Sequence, residues 1–218
     1  MLTFHYHPLS PIARRVWLAL LEKGLDFEPV EVNLKAGENR QPRFSALNPF
    51  HHVPVLTDED LTLIESLAIL DYLEAKFPAQ PLTPTSPVAL AQMRMVQMVT
   101  VNELVTQLPR LAADPQPESI PERLSPALGF LASQLAQQNY FGGDGLSLAD
   151  VVAGAALPLM HRLGVSLDDY PTLDRWRLRL MGRTAWRQTE PSDEAFAQWK
   201  RWVGLMVRRQ QRTGRPRR

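Results

Sequence analysis

The sequence predicts a small α/β unit with a four-stranded mixed sheet, joined by a proline-rich linker to a second unit built only of helices. Strand and helix periodicities alternate through residues 1–78, prolines then stand at 78, 81, 84 and 87, and from Val88 onward helical spacing recurs without convincing two-residue alternation. Leu2 to Tyr6 alternates, with Leu2, Phe4 and Tyr6 on one face, and reads as the first strand. His7-Pro8-Leu9-Ser10-Pro11 breaks it. Val16, Trp17, Leu20 and Leu21 then recur at helical spacing, with Ser10 as N-cap, Pro11 as first helical residue and Gly24 as the stop. Phe27 to Val32 is a second strand, parallel to the first if the helix is its crossover.

Leu34 to Asn48 is polar, with a short helix expected around Arg43 to Leu47. Val53–Thr57 and Leu61–Ile64 read as strands about an Asp58-Glu59-Asp60 hairpin, followed by an amphipathic helix from Ser66 to Phe77 that Pro78 halts. Residues 79–87 form the linker. Helices are then expected over Val88–Leu111, Glu122–Gln138, Ser147–Leu163, Thr172–Met181 and Asp193–Val207, with Pro109 and the segment 114–118 interrupting or ending the first. Residues 88–207 thus make an all-α domain. The last eleven residues hold six arginines without apolar periodicity, so 208–218 reads as a disordered basic tail, a solvated one more readily than a polyanion site.

Composition sets bounds on function. A chain of 218 residues that is 44% hydrophobic and 22% charged can bury a sizeable core. No apolar run reaches the length of a membrane span, and Thr3, His5 and Pro8 interrupt the N-terminus where a signal peptide would be unbroken, so a cytoplasmic protein is expected. There are no cysteines. Disulfides, thiolate metal sites and chemistry on the protein's own thiol are excluded, and any thiol mechanism must borrow its sulfur. His5, His7, His51 and His52 lack a ligand spacing such as H-E-x-x-H, so no metal site is expected.

The most informative stretch is Ile64-Glu65-Ser66-Leu67-Ala68-Ile69, read with Val53-Pro54-Val55. A carboxylate and a hydroxyl stand where a strand ends and a helix begins, so they and the free amides of the first turn converge on a site suited to a small zwitterion. The Val53–Pro54 bond is a candidate for the cis form, which would turn neighbouring backbone groups outward for a peptide-like ligand.

The order N-P-F-H-H-V-P-V-L, I-E-S-L-A-I-L-D-Y-L and G-L-S-L-A-D-V, spread over nearly the whole chain except the arginine tail, resembles the cytosolic glutathione transferase family. H-P-L-S-P-I-A-R-R-V resembles its serine-using branches, including phi-like and bacterial members. The resemblance implies a thioredoxin-like N-terminal domain that binds glutathione, a helical domain that shapes a hydrophobic pocket, and homodimerisation. Glutathione would be a co-substrate rather than a cofactor. The absence of cysteine argues against the family's thiol-transferase and dehydroascorbate-reductase branches.

It also implies roles. Ser10 would activate the glutathione thiol, with Tyr6 as the alternative donor and Arg14 as possible support; on the residues alone, Ser10 is equally an N-cap, Tyr6 a core tyrosine and Arg14 a solvated charge. Glu65 and Ser66 would take the γ-glutamyl end and Val53 the cysteinyl backbone, with Pro54 holding it. Asn39, Arg40 and His52 would face the glycine carboxylate, where relatives often carry histidine, lysine and glutamine, so affinity rests on a different set of donors. Leu9 and Ile12 would line the hydrophobic pocket; Met93, Met95 and Met98 fit that role or core packing equally. Ser147 and Asp150 form a capping box whose loss should cost on the order of 1 kcal/mol. The implied reaction is thiolate attack on small electrophiles such as isothiocyanates, aryl halides or hydroperoxides. The competing reading is a noncatalytic carrier or assembly module of the same fold, without nucleic-acid or membrane partners.

Overall fold

A computed structural model describes residues 1–113 and 120–213. Strands β1 (Leu2–Tyr6) and β2 (Phe27–Glu31) pair in parallel across helix α1 (Pro11–Glu22), as the crossover required. Strands β3 (Val55–Asp58) and β4 (Leu61–Leu63) form an antiparallel hairpin, and the sheet order is β2-β1-β3-β4. The third strand begins at Val55 rather than Val53, because Pro54 has no amide to give the ladder. The Val53–Pro54 bond is cis, as expected.

Helix α1 is bounded by its caps. Ser10 holds an extended conformation and its hydroxyl accepts from the Ala13 amide at 3.2 Å, while Gly24 ends the helix region at φ 62°. Helix α1 and helix α3 (Ser66–Lys76) bury Val16, Leu20, Ile69, Leu70 and Leu73 with Phe4 of the sheet. The short helix α2 (Pro42–Leu47) covers the other face, where Phe44 meets the edge of His5 at 6.3 Å.

Asp58 closes this domain at the end of β3. It accepts from Tyr72 Oη at 2.8 Å and from Lys76 Nζ, and the Lys76 bond, then the Tyr72 bond, hold its carboxyl below the usual range. A depressed folded pKa stabilises the fold above the unfolded value, about 3.9, and that contribution is lost as pH falls through the folded value. Urea midpoints measured from pH 5 down to pH 2 should therefore fall more steeply in the native protein than in Asp58→Asn. Parallel curves would remove this role.

The linker is clamped at the back. Buried Lys23 gives hydrogen bonds to Glu74 Oε1 at 2.6 Å and the Gln80 carbonyl at 2.8 Å, while the Leu148 amide bonds the Leu82 carbonyl at 2.8 Å. Beyond it run α4 (Pro87–Val99), α5 (Leu108–Ala113), α6 (Ile120–Leu135), α7 (Leu148–Arg162), α8 (Pro171–Met181), α9 (Thr184–Thr189) and α10 (Asp193–Thr213). No helix among the described residues is long and apolar enough to cross a membrane.

Three helical features depart from expectation. The single helix read over Val88–Leu111 is split by a π turn at Thr100–Leu104 and a 3₁₀ turn at Val105–Gln107. Pro109 cannot donate to the carbonyl one turn back and crowds it, so the α register changes before that residue. Helix α9 was not anticipated: six residues are too few to display a period, and tertiary contact carries them through buried Trp186, whose indole donates to the Gly154 carbonyl at 2.9 Å. Helix α10 continues past Val207 to Thr213, so residues 208–213 are helical where a disordered tail was expected; residues 214–218 lie outside those described. Phe196, Trp199, Trp202 and Val203 give α10 an apolar stripe against the core, and Arg and Gln prolong a helix at little cost.

The expected capping box opens α7, but Asp150 does more than cap. One carboxylate oxygen accepts from the Ser147 amide and hydroxyl, both at 2.8 Å; the other accepts from the Phe141 amide at 2.9 Å and the Trp176 indole at 2.8 Å. The expected cost of about 1 kcal/mol is therefore too small.

Candidate functional site

Three chain segments bound one cavity of about 310 Å³ on the N-terminal domain. The first is the start of α1. The Ser10 amide closes a turn onto the His7 carbonyl at 2.9 Å, and its Oγ already accepts from Ala13, so the hydroxyl proton is left to point outward to an acceptor. Ile12, 40% exposed, stands beside it as apolar lining.

The second segment is Glu65–Ser66. Glu65 is the N-cap of α3 in left-handed conformation, φ 63°, and its side chain makes no capping bond. A non-glycine residue held there stores local strain, which a functional requirement can justify. Glu65 and Ser66 both line the cavity, at a helix start whose first-turn amides lack intrahelical partners. Arg15, on α1, is 2% exposed, and its Nε has no hydrogen-bond partner. Burial lowers its guanidinium to about 10 while the charge of Glu65 opposes that change, so at neutral pH it remains a cation.

The third segment is the loop through Val53. Asn39 Nδ2 donates to the His51 carbonyl at 2.7 Å, the His51 ring Nδ1 lies 3.0 Å from the Asn39 carbonyl, and Asn48 Nδ2 donates to the His52 carbonyl at 2.8 Å. These bonds stitch 48–53 to the wall formed by residues 34–39. Val53 and Pro54 are left outside the β-ladder at the cavity edge.

The structure thus brings together Ser10, Ile12, Asn39, His52, Val53, Pro54, Glu65 and Ser66 from the sequence reading. It does not bring in Tyr6, which stacks on Phe4 at 5.1 Å and meets Trp17 at a tilt at 4.8 Å; burial and then Glu31 raise its hydroxyl above the ordinary value. Arg14 is also elsewhere. It turns into the domain interface, donating to Thr189 Oγ1 at 3.1 Å, the Trp186 carbonyl at 3.3 Å and Glu190 at 2.7 Å. Arg40 is exposed on a 3₁₀ turn, Glu38–Arg40, Leu9 packs against the core, and neither lines the cavity. Met93 is buried in the core and Met95 and Met98 are exposed, so the methionines do not line it either.

Leu34, Asn48 and His51 line the cavity without having been foreseen as site residues. Asn48 carried a signal: an Asn two residues before a turn bonds its own chain, here at the Phe50 amide, 2.9 Å. His51 and His52 both reach the cavity because His51 sits at φ 60°, which breaks the alternation expected of neighbours.

Comparison with known proteins gives matches across both domains. Residues 4–81 match the family model for the glutathione S-transferase N-terminal domain, and residues 112–184 the model for its C-terminal domain. Glutathione S-transferase F10 of Arabidopsis thaliana is 30% identical over 204 residues, covering 84% of this chain and 94% of that protein. A maleylacetoacetate isomerase of Pseudomonas aeruginosa is 33% identical over 198 residues, covering 85% and 93%. Among solved structures, a glutathione transferase homologue from Sulfitobacter with bound glutathione superimposes with a TM-score of 0.74 at 27% identity, covering 86% of this chain and 96% of that one.

Proposed function

Because the chain belongs to the glutathione S-transferase family and is an enzyme of that family, we propose that the cavity described above binds glutathione with its sulfur at Ser10. The observation that carries this reading is the convergence of a proton-bearing N-cap, a backbone segment free of the sheet, and an acid–hydroxyl pair at a second helix start on one cavity. Glu65 takes the ammonium of the γ-glutamyl unit, and Ser66 with the first-turn amides takes its carboxylate. Val53 pairs with the cysteinyl backbone as an added strand would. Asn39 and His52 receive the glycine end, and Arg40 contributes charge from outside the cavity.

In the bound complex the Ser10 hydroxyl donates to the thiolate, the thiol proton leaves to solvent, and the sulfur attacks an electrophile entering over Ile12. Isothiocyanates, aryl halides and hydroperoxides are the substrate classes of this reading. Relatives named maleylacetoacetate isomerase add one more: a thiolate that adds to an activated double bond, allows rotation and departs leaves an isomer with no net oxidation. Glutathione is a co-substrate in the conjugations and is returned unchanged by the isomerisation, no other cofactor enters the scheme, and the compartment is the cytosol. Homodimerisation is part of the same reading, supported by the exposed apolar side chains of Phe50, Leu90 and Met98.

Calorimetric titration with glutathione tests the binding half. Ser66→Ala should weaken affinity at least tenfold, about 1.4 kcal/mol, with the melting temperature little changed. Affinity within twofold of the native protein would refute the γ-glutamyl assignment. Turnover of one of the named electrophiles separates enzyme from carrier, since a carrier binds glutathione and conjugates nothing.

A further inference from the structure

On the sheet face opposite α1 and α3 lies a larger cavity, about 610 Å³, between the strands and α2. It shares no lining residue with the site at Ser10, although the segment between β2 and β3 walls both. Its interior is mixed, with Val30, Thr3, Thr57 and the His5 ring on the sheet side and Gln41, Phe44 and Leu47 on the helix side. Its rim is acidic. Glu28 and Glu38 stand around the opening against one basic side chain, Arg43; among the described residues neither carboxylate enters an ion pair, and Glu38 Oε2 accepts from the Asn33 amide at 2.7 Å.

Carboxylates in excess around a partly apolar cleft disfavour anions and favour cations. The Phe44 ring offers an apolar face for a flat ring system to pack against, and a positive charge at the edge of such a ring would meet the rim. We propose that this cleft is a second binding site, separate from the glutathione site, for organic cations with a flat aromatic body. None of the residues it uses belongs to the chemistry assigned to Ser10, Glu65 or Ser66.

The test is a fluorescence-anisotropy titration of the full chain with 9-aminoacridine, with S-methylglutathione saturating the other site. Single-site saturable binding is expected, weakening as salt is added because the rim charges are exposed. Val30→Trp, which fills the cleft, should weaken it more than tenfold, and Glu28→Gln about fivefold, both with glutathione conjugation unchanged. Anthracene-9-carboxylate, a ring of the same shape with the opposite charge, should bind at least tenfold more weakly. Four results would overturn the proposal: no saturable binding, displacement by S-methylglutathione, equal binding of the carboxylate, or native affinity in Val30→Trp. Glu28→Gln alone decides the matter if Val30→Trp fails to fold, since an unchanged affinity there removes the acidic rim from recognition.

Discussion

Replacing Ser10 by alanine should lower turnover with glutathione roughly 30-fold at pH 7 while changing glutathione affinity less than threefold. The size follows from one hydrogen bond. A bond to a charged acceptor is worth about 1.5–3 kcal/mol, and losing it returns the thiol toward its free pKa by roughly one to two units. The dipole of α1 contributes only about 0.3–1 kcal/mol and survives the substitution, so it cannot compensate. Affinity is spared because the γ-glutamyl and cysteinyl contacts assigned to Ser66, Glu65 and Val53 do not involve the hydroxyl. Alanine also removes the bond to the Ala13 amide, so a loss of about 1 kcal/mol in stability should accompany the kinetic effect. Tyr6→Phe should keep turnover within threefold, because the ring is packed against Phe4 and Trp17. If Tyr6→Phe is the impaired variant, the thiol is activated from the wrong residue in this account.

Asp150→Ala should be the most damaging single change to the fold, at about 3–5 kcal/mol by urea unfolding, with poor recovery of folded protein. Asp150 is fully buried, and its removal leaves the Phe141 and Ser147 amides, the Ser147 hydroxyl and the Trp176 indole without their acceptor. Burial raises its carboxyl above the ordinary range, against the pull of those same four bonds, so the group is held by the donors around it. Asp150→Asn keeps the shape and one acceptor oxygen and should lose about half as much. A cost under 1 kcal/mol for alanine would mean that water replaces the carboxylate and that its role ends at capping.

Much of this could be read from the chain because short-range chemistry fixes it. Alternation at Leu2, Phe4 and Tyr6, Ser10 before Pro11, and Glu65-Ser66 before an apolar helical run each specify local geometry without long-range help. The sharper errors are orientations. Arg14 and Arg15 are neighbours, and nothing in their spacing says that the first crosses to Glu190 while the second is buried within reach of the Glu65 charge; the partner 176 positions away in sequence decides it. His51 escaped because a left-handed residue breaks the alternation on which face assignments rest. Asp150 looked like a cap because three of its four donors are local, Phe141 included, whereas Trp176 is brought by α8 packing. Helix α10 outruns its apolar stripe because Arg and Gln are good helix formers, and their charge and polarity leave no periodic signal to mark its end.

The central claim is that Ser10 lowers the pKa of bound glutathione, and the ultraviolet absorbance of the thiolate in the binary complex measures that directly as a function of pH. The native complex should titrate at least one unit below the value of a free thiol, about 8.5, and Ser10→Ala should move the midpoint back up by one unit or more. A native midpoint at the free value, or the same midpoint in both proteins while glutathione stays bound, would contradict it.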